Sequence, residues 1–147
     1  MRLTQYTDYA LRVLIYCGLH RRSRTTIREI GVAYGISKNH LTKIVHELGR
    51  LGYLETLRGK RGGLRLARSP AEIRLGQLIA TLEPDLALVE CFEAGGCACR
   101  IAGDCRLQAI LAEALAAFVA TLDRYTLADL LLPENALRSR LGLALPA

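Results

Sequence analysis

The chain has 147 residues, 51% hydrophobic and 23% charged, without any Trp, which is typical of one globular domain with an aliphatic core and excludes a disordered chain. No apolar run reaches the roughly 18 residues of a membrane-spanning helix and no signal-peptide pattern is present, so we expect a cytoplasmic protein without a membrane partner. The net charge of +6 is uneven: residues 1–68 carry 14 Lys and Arg against 4 acidic residues, whereas residues 69–147 carry 6 Arg against 10, which favours a nucleic-acid-binding first half over a generally basic protein.

Apolar residues spaced three and four apart predict three helices in the first third of the chain. The first covers about 5–21. The second covers about 26–34 and ends at Gly35, a residue that tolerates the left-handed conformation after a helix. Ser37 caps the third, which continues to about residue 51. Two helices joined by so short a turn have the form of a helix-turn-helix.

Two short strands are predicted next, at 53–57 and 64–67. Between them lies the glycine-rich, basic segment Arg58-Gly59-Lys60-Arg61-Gly62-Gly63. A basic hairpin after three helices is the layout of a winged helix. We therefore expect a mainly α fold with a winged helix-turn-helix and a small β-hairpin wing.

The remaining sequence divides at a group of cysteines. Residues 1–83 form the predicted winged-helix DNA-binding domain, which ends in a helix before Pro84. Residues 84–104 form an irregular cysteine-rich loop that could bind a cluster. Residues 105–147 supply a long helix to about Tyr125, then a short helix and a C-terminal tail. The apolar stripe of the long helix is too extensive for a small domain to bury, so we predict a homodimer through it.

Candidate DNA-binding residues lie at the start of the third helix and on the hairpin tip. The first turn of the second helix in a helix-turn-helix reaches base edges, where Asn suits adenine and Lys suits guanine. Cations flanked by glycines suit close approach to a groove. Ser37 could instead act as a helix cap, and Asn39, His40 and the hairpin cations could be ordinary solvated residues. The candidates are Ser37, Lys38, Asn39, His40, Lys43, Arg58, Lys60 and Arg61, and the expected partner is double-stranded DNA with a palindromic operator.

Four of the five cysteines fall within fifteen residues. In a cytoplasmic protein such a group favours metal binding or redox chemistry over structural disulfides. Cys91, Cys99 and Cys105 could hold an iron–sulfur cluster, and Cys97 offers an alternative register as a metal ligand. A structural zinc site and a thiol–disulfide switch stay open, although paired C-x2-C knuckles are absent. Cys17 lies on the apolar first helix and is expected to be a core residue.

The motifs described above, together with the sequence around Asp8 and after the long helix, resemble those of a known family. They resemble the NsrR-like, nitric-oxide-sensing branch of the Rrf family of winged-helix repressors, which also contains the IscR-like iron–sulfur regulators. The resemblance covers nearly the whole chain. The matching segments are residues 3–12, 37–44, 58–66, 99–107 and 122–130.

The resemblance implies a repressor, not an enzyme, that carries a 4Fe-4S or 2Fe-2S cluster and releases operator DNA when nitric oxide reacts with it. The implied ligands are Cys91, Cys99 and Cys105 of one subunit and Asp8 of the partner subunit. IscR-like members have a His two residues after the last Cys, where this chain has Leu107. The alternatives are a regulator of the same fold that senses iron–sulfur status, iron or redox state, and an iron–sulfur electron carrier.

Overall fold

The first three helices and a two-stranded antiparallel sheet form the predicted winged helix in the computed structural model of the chain. The structure describes residues 2–21, 23–57, 59, 62–83, 85–92 and 98–145. The helices are α1 (Gln5–Leu19), α2 (Ile27–Tyr34), α3 (Lys38–Arg50), α4 (Leu75–Leu82), α5 (Arg106–Leu122), α6 (Leu127–Leu130) and α7 (Glu134–Arg140). The strands are β1 (Leu54–Leu57) and β2 (Gly63–Leu66), and 3₁₀ turns occupy Pro70–Glu72 and Glu90–Phe92.

Local capping signals determine where α2 and α3 begin and end. The Thr26 hydroxyl accepts a hydrogen bond from the Glu29 N–H, and the Glu29 carboxylate accepts one from the Thr26 N–H, which completes a capping box. Gly35 ends α2 with a φ of +66°, a conformation that favours glycine. Gly31 lies where the turn between α2 and α3 folds back on α2, because an added Cβ would lie 3.0 Å from the Ile36 carbonyl oxygen. The helix-turn-helix is therefore specified largely by nearby residues.

The wing is attached to the helices by a backbone bridge. β1 and β2 pair from Leu54 opposite Leu66 to Leu57 opposite Gly63. Thr25, just before α2, exchanges two backbone hydrogen bonds with Leu64, at 3.1 and 2.7 Å. A Cβ at Gly63 would lie 2.9 Å from the Thr25 carbonyl oxygen. Glycine at this position permits the close approach that joins the wing to the helix-turn-helix.

The hydrophobic core lies between α1, α3, α4 and the wing, and it is mostly aliphatic as predicted. Cys17 belongs to it, with a relative exposure of 2%, and burial raises the pKa of its thiol to about 12. This confirms Cys17 as a core residue. The other main members are Ala10, Val13, Leu14, Ile30, Leu41, Ile44, Leu48, Leu54, Leu64, Ile73, Leu78 and Leu127.

The helical stretch that the sequence predicts from Ser69-Pro70 to just before Pro84 is interrupted. Pro70–Glu72 forms one 3₁₀ turn, and the buried Ile73 then adopts an extended conformation before α4 begins. The interruption has a long-range cause: the Ile73 carbonyl accepts a hydrogen bond from the Leu127 N–H, and the Leu75 N–H donates to the Tyr125 carbonyl. The backbone before α4 therefore pairs with the chain that follows α5.

The C-terminal region also differs from the prediction in detail. α5 ends at Leu122 rather than near Tyr125, and a capping box of Thr126 and Asp129 begins α6, as expected. α7 was not predicted from the sequence. Arg138 fixes this helix by pairing with Glu134 and by donating a hydrogen bond to the Leu19 carbonyl at the end of α1. Within the described ranges, none of the helices combines the length and hydropathy needed to cross a membrane.

Candidate DNA-binding surface and cysteine loop

The first turn of α3 is an exposed polar surface. Ser37, Lys38, Asn39 and His40 are all exposed, and Lys43 is exposed one turn further along. The Ser37 hydroxyl accepts a hydrogen bond from the His40 N–H at 3.4 Å, so Ser37 also caps the helix. The fold thus brings the helix-turn-helix candidates together at one helix end, while their contact with DNA stays a prediction.

The charge on this surface is positive. The first turn of α3 contains no acidic residue, and the N-terminus of a helix carries a partial positive charge that attracts phosphate. The acidic residue of α3, Glu47, lies toward the other end. Its carboxylate accepts a hydrogen bond from Arg50 at 2.5 Å, and this bond holds the pKa of Glu47 below its usual value. Glu47 is therefore charged at neutral pH but engaged with Arg50.

The wing tip is only partly described. Arg58, Lys60 and Arg61, the predicted cations, lie outside the described residues. Gly59 is exposed with a φ of +102°, and its carbonyl accepts a hydrogen bond from the Gly62 N–H at 2.8 Å. Gly59 thus adopts a backbone conformation that favours glycine. DNA contact by its three cations stays a prediction.

The cysteines of the loop lie between α4 and α5. Cys91 is half-buried in the 3₁₀ turn Glu90–Phe92, Cys99 is exposed, and Cys105 is half-buried immediately before α5. Cys97 lies outside the described residues. In the part of the chain that the structure describes, no group of three or more His, Cys, Asp or Glu residues is gathered for a metal ion. The ligand set and its register stay predictions.

Asp8 lies in the first turn of α1, where its side chain is 47% exposed. Its carboxylate pairs with Arg12 at 2.7 Å, and the Arg12 guanidinium lies 5.5 Å from the ring centre of Tyr9 and 5.9 Å from that of Tyr34. This ion pair was not predicted from the sequence, although opposite charges four residues apart on a helix are a usable signal. Any ligand role of Asp8 has to compete with this ion pair.

The chemistry of the donor set fits an iron–sulfur cluster. Thiolates are the usual ligands of such clusters, and a carboxylate can complete the set with a harder oxygen ligand. Cys91, Cys99 and Cys105 come from a turn, a loop and a helix start that solvent reaches, unlike Cys17. Gly103, with a φ of +98° and open space around it, gives the loop a sharp turn between two of the cysteines. The residue types of this donor set therefore fit the cluster that the family resemblance implies, and their arrangement around it stays a prediction.

α5 exposes most of its apolar surface. Of its 17 residues, 13 are Ala, Leu, Ile, Val or Phe, yet none is buried. Leu107 and Ile110 are 58% and 53% exposed. A groove of about 670 Å³ also runs between α5 and the segment 85–92, with Leu115 and Val119 among its walls. An apolar surface of this extent is typical of a protein–protein contact.

The comparisons with known proteins identify the family. The family model Rrf2, described as "Iron-dependent Transcriptional regulator", matches residues 3–133. The chain belongs to the Rrf2 family. The resemblance and the fold class predicted from the sequence are thereby confirmed.

Relatives within this family match over almost the whole chain. The HTH-type transcriptional regulator NsrR of Geobacillus kaustophilus is 54% identical over 142 residues, which cover 96% of this chain and 97% of the relative. The protein of the same name from Bacillus subtilis is 48% identical over 131 residues, or 88% of this chain and 90% of the relative. These relatives are transcriptional regulators and not enzymes, as the sequence predicts.

Solved structures confirm the Rrf2 fold. CymR, the global cysteine regulator of B. subtilis, is 25% identical, with a TM-score of 0.71 and coverage of 88% of this chain and 95% of that chain. The T. potens IscR structure has a TM-score of 0.72 and covers 99% of this chain and 94% of that one. At 21% identity, the IscR match supports the fold alone.

Proposed function

We propose that the chain is a homodimeric, DNA-binding transcriptional repressor that senses nitric oxide through an iron–sulfur cluster and then releases its operator. The observation that carries the proposal is the position of the cysteine loop. The loop begins at the end of α4, which packs on the winged helix, and ends at the start of the exposed apolar helix α5. A change in this loop can therefore alter how the DNA-binding half is held relative to α5.

The DNA-binding part of the proposal rests on the exposed first turn of α3. In a helix-turn-helix this turn enters the major groove, where Asn39 and Lys43 can read base edges. The helix N-terminus and Lys38 favour phosphate contacts at the same place. The relatives named HTH-type transcriptional regulator support the same role for this chain.

The dimer rests on the apolar surface of α5. A symmetric dimer that covers Leu107 and Ile110 with the same face of a second copy would remove this surface from water. It would also present two α3 helices to the two half-sites of a palindromic operator. The proposed protein partner is therefore a second copy of this chain.

The sensor rests on the thiols of the loop. Cys91, Cys99 and Cys105 would hold a 4Fe-4S cluster, with a 2Fe-2S cluster as the alternative, and Asp8 of the partner subunit would supply the fourth ligand. When bound, the cluster supplies iron that reacts with nitric oxide. Through the bound cluster, the three cysteines would be linked to one another, and Asp8 would link them to α1 of the other subunit. Loss of these bonds would free the loop and change the distance between the two α3 helices.

DNA binding by anaerobically purified protein tests the proposal. We expect a brown protein that selects a two-fold-symmetric duplex from a random library, with half-sites one or two helical turns apart. Stoichiometric nitric oxide should bleach the visible absorption and release the duplex. Apo-protein that binds as tightly as holo-protein would contradict cluster-dependent binding.

One alternative has an observation in its favour. The Rrf2 family is described as iron-dependent, which also suits a regulator of the same fold that responds to iron, cluster supply or redox state. Holo-protein that stays on DNA after complete reaction with nitric oxide, but leaves it after the cluster is removed by a chelator, would favour this alternative. A colourless protein with bound zinc would exclude both.

A further inference from the structure

α4 and the end of α5 meet in a joint that the sequence analysis did not anticipate. We define the α4–α5 joint as residues 73–77 and 123–127. Two backbone hydrogen bonds of 2.9 Å, from Leu75 to Tyr125 and from Leu127 to Ile73, enclose an antiparallel bridge between Arg74 and Thr126. The joint thus connects the segment that leaves the wing with the segment that leaves α5.

Asp123 caps α4 from a distance of 46 residues in the sequence. The residue that precedes α4, Arg74, makes no side-chain cap of its own. Instead, one Asp123 carboxylate oxygen accepts a hydrogen bond from the Gln77 N–H at 3.1 Å. The Arg74 guanidinium donates to the Asp123 carbonyl at 3.1 Å and lies 3.8 Å from the carboxylate. Two N–H groups at the start of α4, those of Leu75 and Gln77, are therefore satisfied by residues that follow α5.

Gly76 brings the two helices into direct contact. A Cβ at this position would lie 2.6 Å from the Asp123 Cβ, 2.7 Å from the Val119 carbonyl oxygen and 2.8 Å from the Asp123 nitrogen. Two of these three atoms belong to the backbone of α5 or its cap. Any larger residue would therefore separate the helices, and the short contact leaves little room for a change of their angle at this end.

The other end of α4 is attached to the winged helix. Glu83 is 8% exposed, and its carboxylate accepts hydrogen bonds from the Thr4 N–H at 2.9 Å and from the Thr4 hydroxyl at 3.2 Å. Thr4 caps α1, while Leu78 and Leu82 of α4 lie in the common core. α4 consequently moves together with the winged helix.

We propose that Asp123 is a positioning residue for operator recognition: with Gly76 and Arg74 it fixes the angle between α5 and the winged helix. The cysteine loop joins the opposite ends of α4 and α5, so the joint is the fixed end of this helix pair and the loop its adjustable end. In a dimer held by α5, the fixed angle determines the separation of the two α3 helices. This inference rests on the proposed DNA-binding dimer.

Operators with altered half-site spacing test the joint directly. The probe is the duplex that wild-type holo-protein selects from a random library, with one or two base pairs added or removed at its centre. One base pair turns a half-site by about a tenth of a helical turn. If the joint is fixed, wild-type protein should bind a duplex with one base pair added or removed about tenfold or more weakly than the selected duplex. The reason is that the DNA or the protein must deform to fit the altered spacing.

Asp123→Ala removes the cap, so its affinities for the different half-site spacings should lie within about threefold of one another, at unchanged cluster content and dimer mass. The reason is that a loosened angle between α5 and the winged helix costs less to change. Asp123→Asn keeps an oxygen that can accept from the Gln77 N–H, so it should restore the wild-type preference. Gly76→Ala should behave like Asp123→Ala. Gly49→Ala is the matched control, because a Cβ added at Gly49 would lie 3.8 Å from the Leu54 carbonyl oxygen, an ordinary contact distance. Amide exchange at Gln77 should accelerate in the two joint variants alone.

The outcomes separate this inference from the proposed function. Asp123→Ala that retains the full wild-type spacing preference would overturn the role of the joint while leaving the repressor proposal intact. Wild-type holo-protein that binds no selected duplex, or binds all spacings equally, would overturn the DNA-binding dimer and the joint with it. If Asp123→Ala does not fold, Arg74→Ala serves instead, because that side chain is largely exposed and its loss should weaken the preference in the same direction.

Discussion

Burial distinguishes Cys17 from the cysteines of the loop at the scale of single residues. Cys17 is enclosed by the core, and burial raises the pKa of its thiol to about 12, so it is a neutral, apolar side chain at physiological pH. Thiolates, not thiols, bind metals. Cys91 and Cys105 are half-buried and Cys99 is exposed, so they can meet a cluster without opening the core.

The first prediction concerns these residues. Cys91→Ala, Cys99→Ala and Cys105→Ala should each abolish the visible absorption of anaerobically reconstituted protein and its bound iron and sulfide. Cys17→Ala should keep both, and should lower the free energy of unfolding by about 1 kcal/mol, because a buried sulfur is replaced by a smaller group. Absorption spectra and iron analysis measure the first effect, and urea titration of the apo-protein measures the second.

The choice between Cys99 and Cys97 is decided by the same experiment. If Cys97→Ala loses the spectrum while Cys99→Ala retains it in full, the ligand register runs through Cys97 and our assignment is wrong. If neither Cys97→Ala nor Cys99→Ala loses the visible spectrum, the loop holds no cluster through these two positions.

At the scale of elements, the wing is a strand pair whose connecting sequence contains three cations. Our second prediction is that combined replacement of Arg58, Lys60 and Arg61 by Ala weakens binding to all DNA sequences by a similar factor. Each phosphate contact removed should reduce the slope of log K against log salt by about 1. Fluorescence anisotropy at several salt concentrations measures this slope. Arg140→Ala, on the exposed end of α7, is the control, and an unchanged slope in the triple variant would exclude contact by the wing tip.

The capping box of α2 gives the third prediction. Burial acts to raise the pKa of Glu29, but hydrogen bonds from Thr26 and Thr25 outweigh it and hold the pKa below its usual value. Glu29→Ala should lower the free energy of unfolding by about 1 kcal/mol at pH 7. Because the pKa is lower in the folded state, this contribution is present above the unfolded pKa of about 4.3 and is lost as pH falls through the folded pKa.

Urea titration at pH 7 and in steps down to pH 3 measures the difference in free energy of unfolding between wild type and Glu29→Ala. The matched control is Glu55→Ala, which breaks an exposed pair with Arg65 and should change stability by less than about 1 kcal/mol. A difference between wild type and Glu29→Ala that grows as pH falls would contradict the assigned role of the carboxylate.

Elements specified by neighbouring residues could be predicted from the sequence, and those specified from a distance could not. Gly35 and Ser37 gave the turn of the helix-turn-helix, and the exposed start of α3 followed from it. The interruption before α4 was missed because it depends on hydrogen bonds to Leu127. The capping role of Asp123 was not predicted because the helix that it caps begins 48 residues earlier. No local pattern carries such information.

The same distinction applies to the candidate site: its local features were predictable from the sequence, and its long-range features were not. Helical spacing predicted which α3 residues share the exposed first turn. The proposed cysteine ligands follow from residue type and from the family resemblance, whereas their proposed arrangement involves a second subunit and a loop whose middle lies outside the described residues. The pairing of Asp8 with Arg12 was predictable in principle from its spacing. Whether Asp8 leaves Arg12 to bind the partner subunit's cluster depends on two chains, and the sequence of one chain does not show it.

At the scale of the whole molecule, two separate connections would hold the dimer. One is the apolar face of α5, which carries no loop cysteine. The other is the ligand bond from Asp8 of the partner subunit to the cluster. Dimerisation and sensing should therefore be separable by mutation, because hydrophobic burial along α5 is independent of the ligand bond.

Our last prediction tests that separation with Asp8→Ala. We expect the variant to remain a dimer in sedimentation or light scattering, because the α5 surface is unchanged. The absorption spectrum should shift or weaken, because one ligand is lost, while the three cysteines remain. Operator affinity of the holo-variant should fall toward that of wild-type apo-protein, because the loop of one subunit is no longer tied to α1 of the other. Arg12→Ala is the control: it removes the ion partner of Asp8 but leaves the carboxylate, so it should retain the cluster. A monomeric Asp8→Ala protein, or one with wild-type spectrum and operator affinity, would show that the partner's α1 is not tied to the cluster through Asp8.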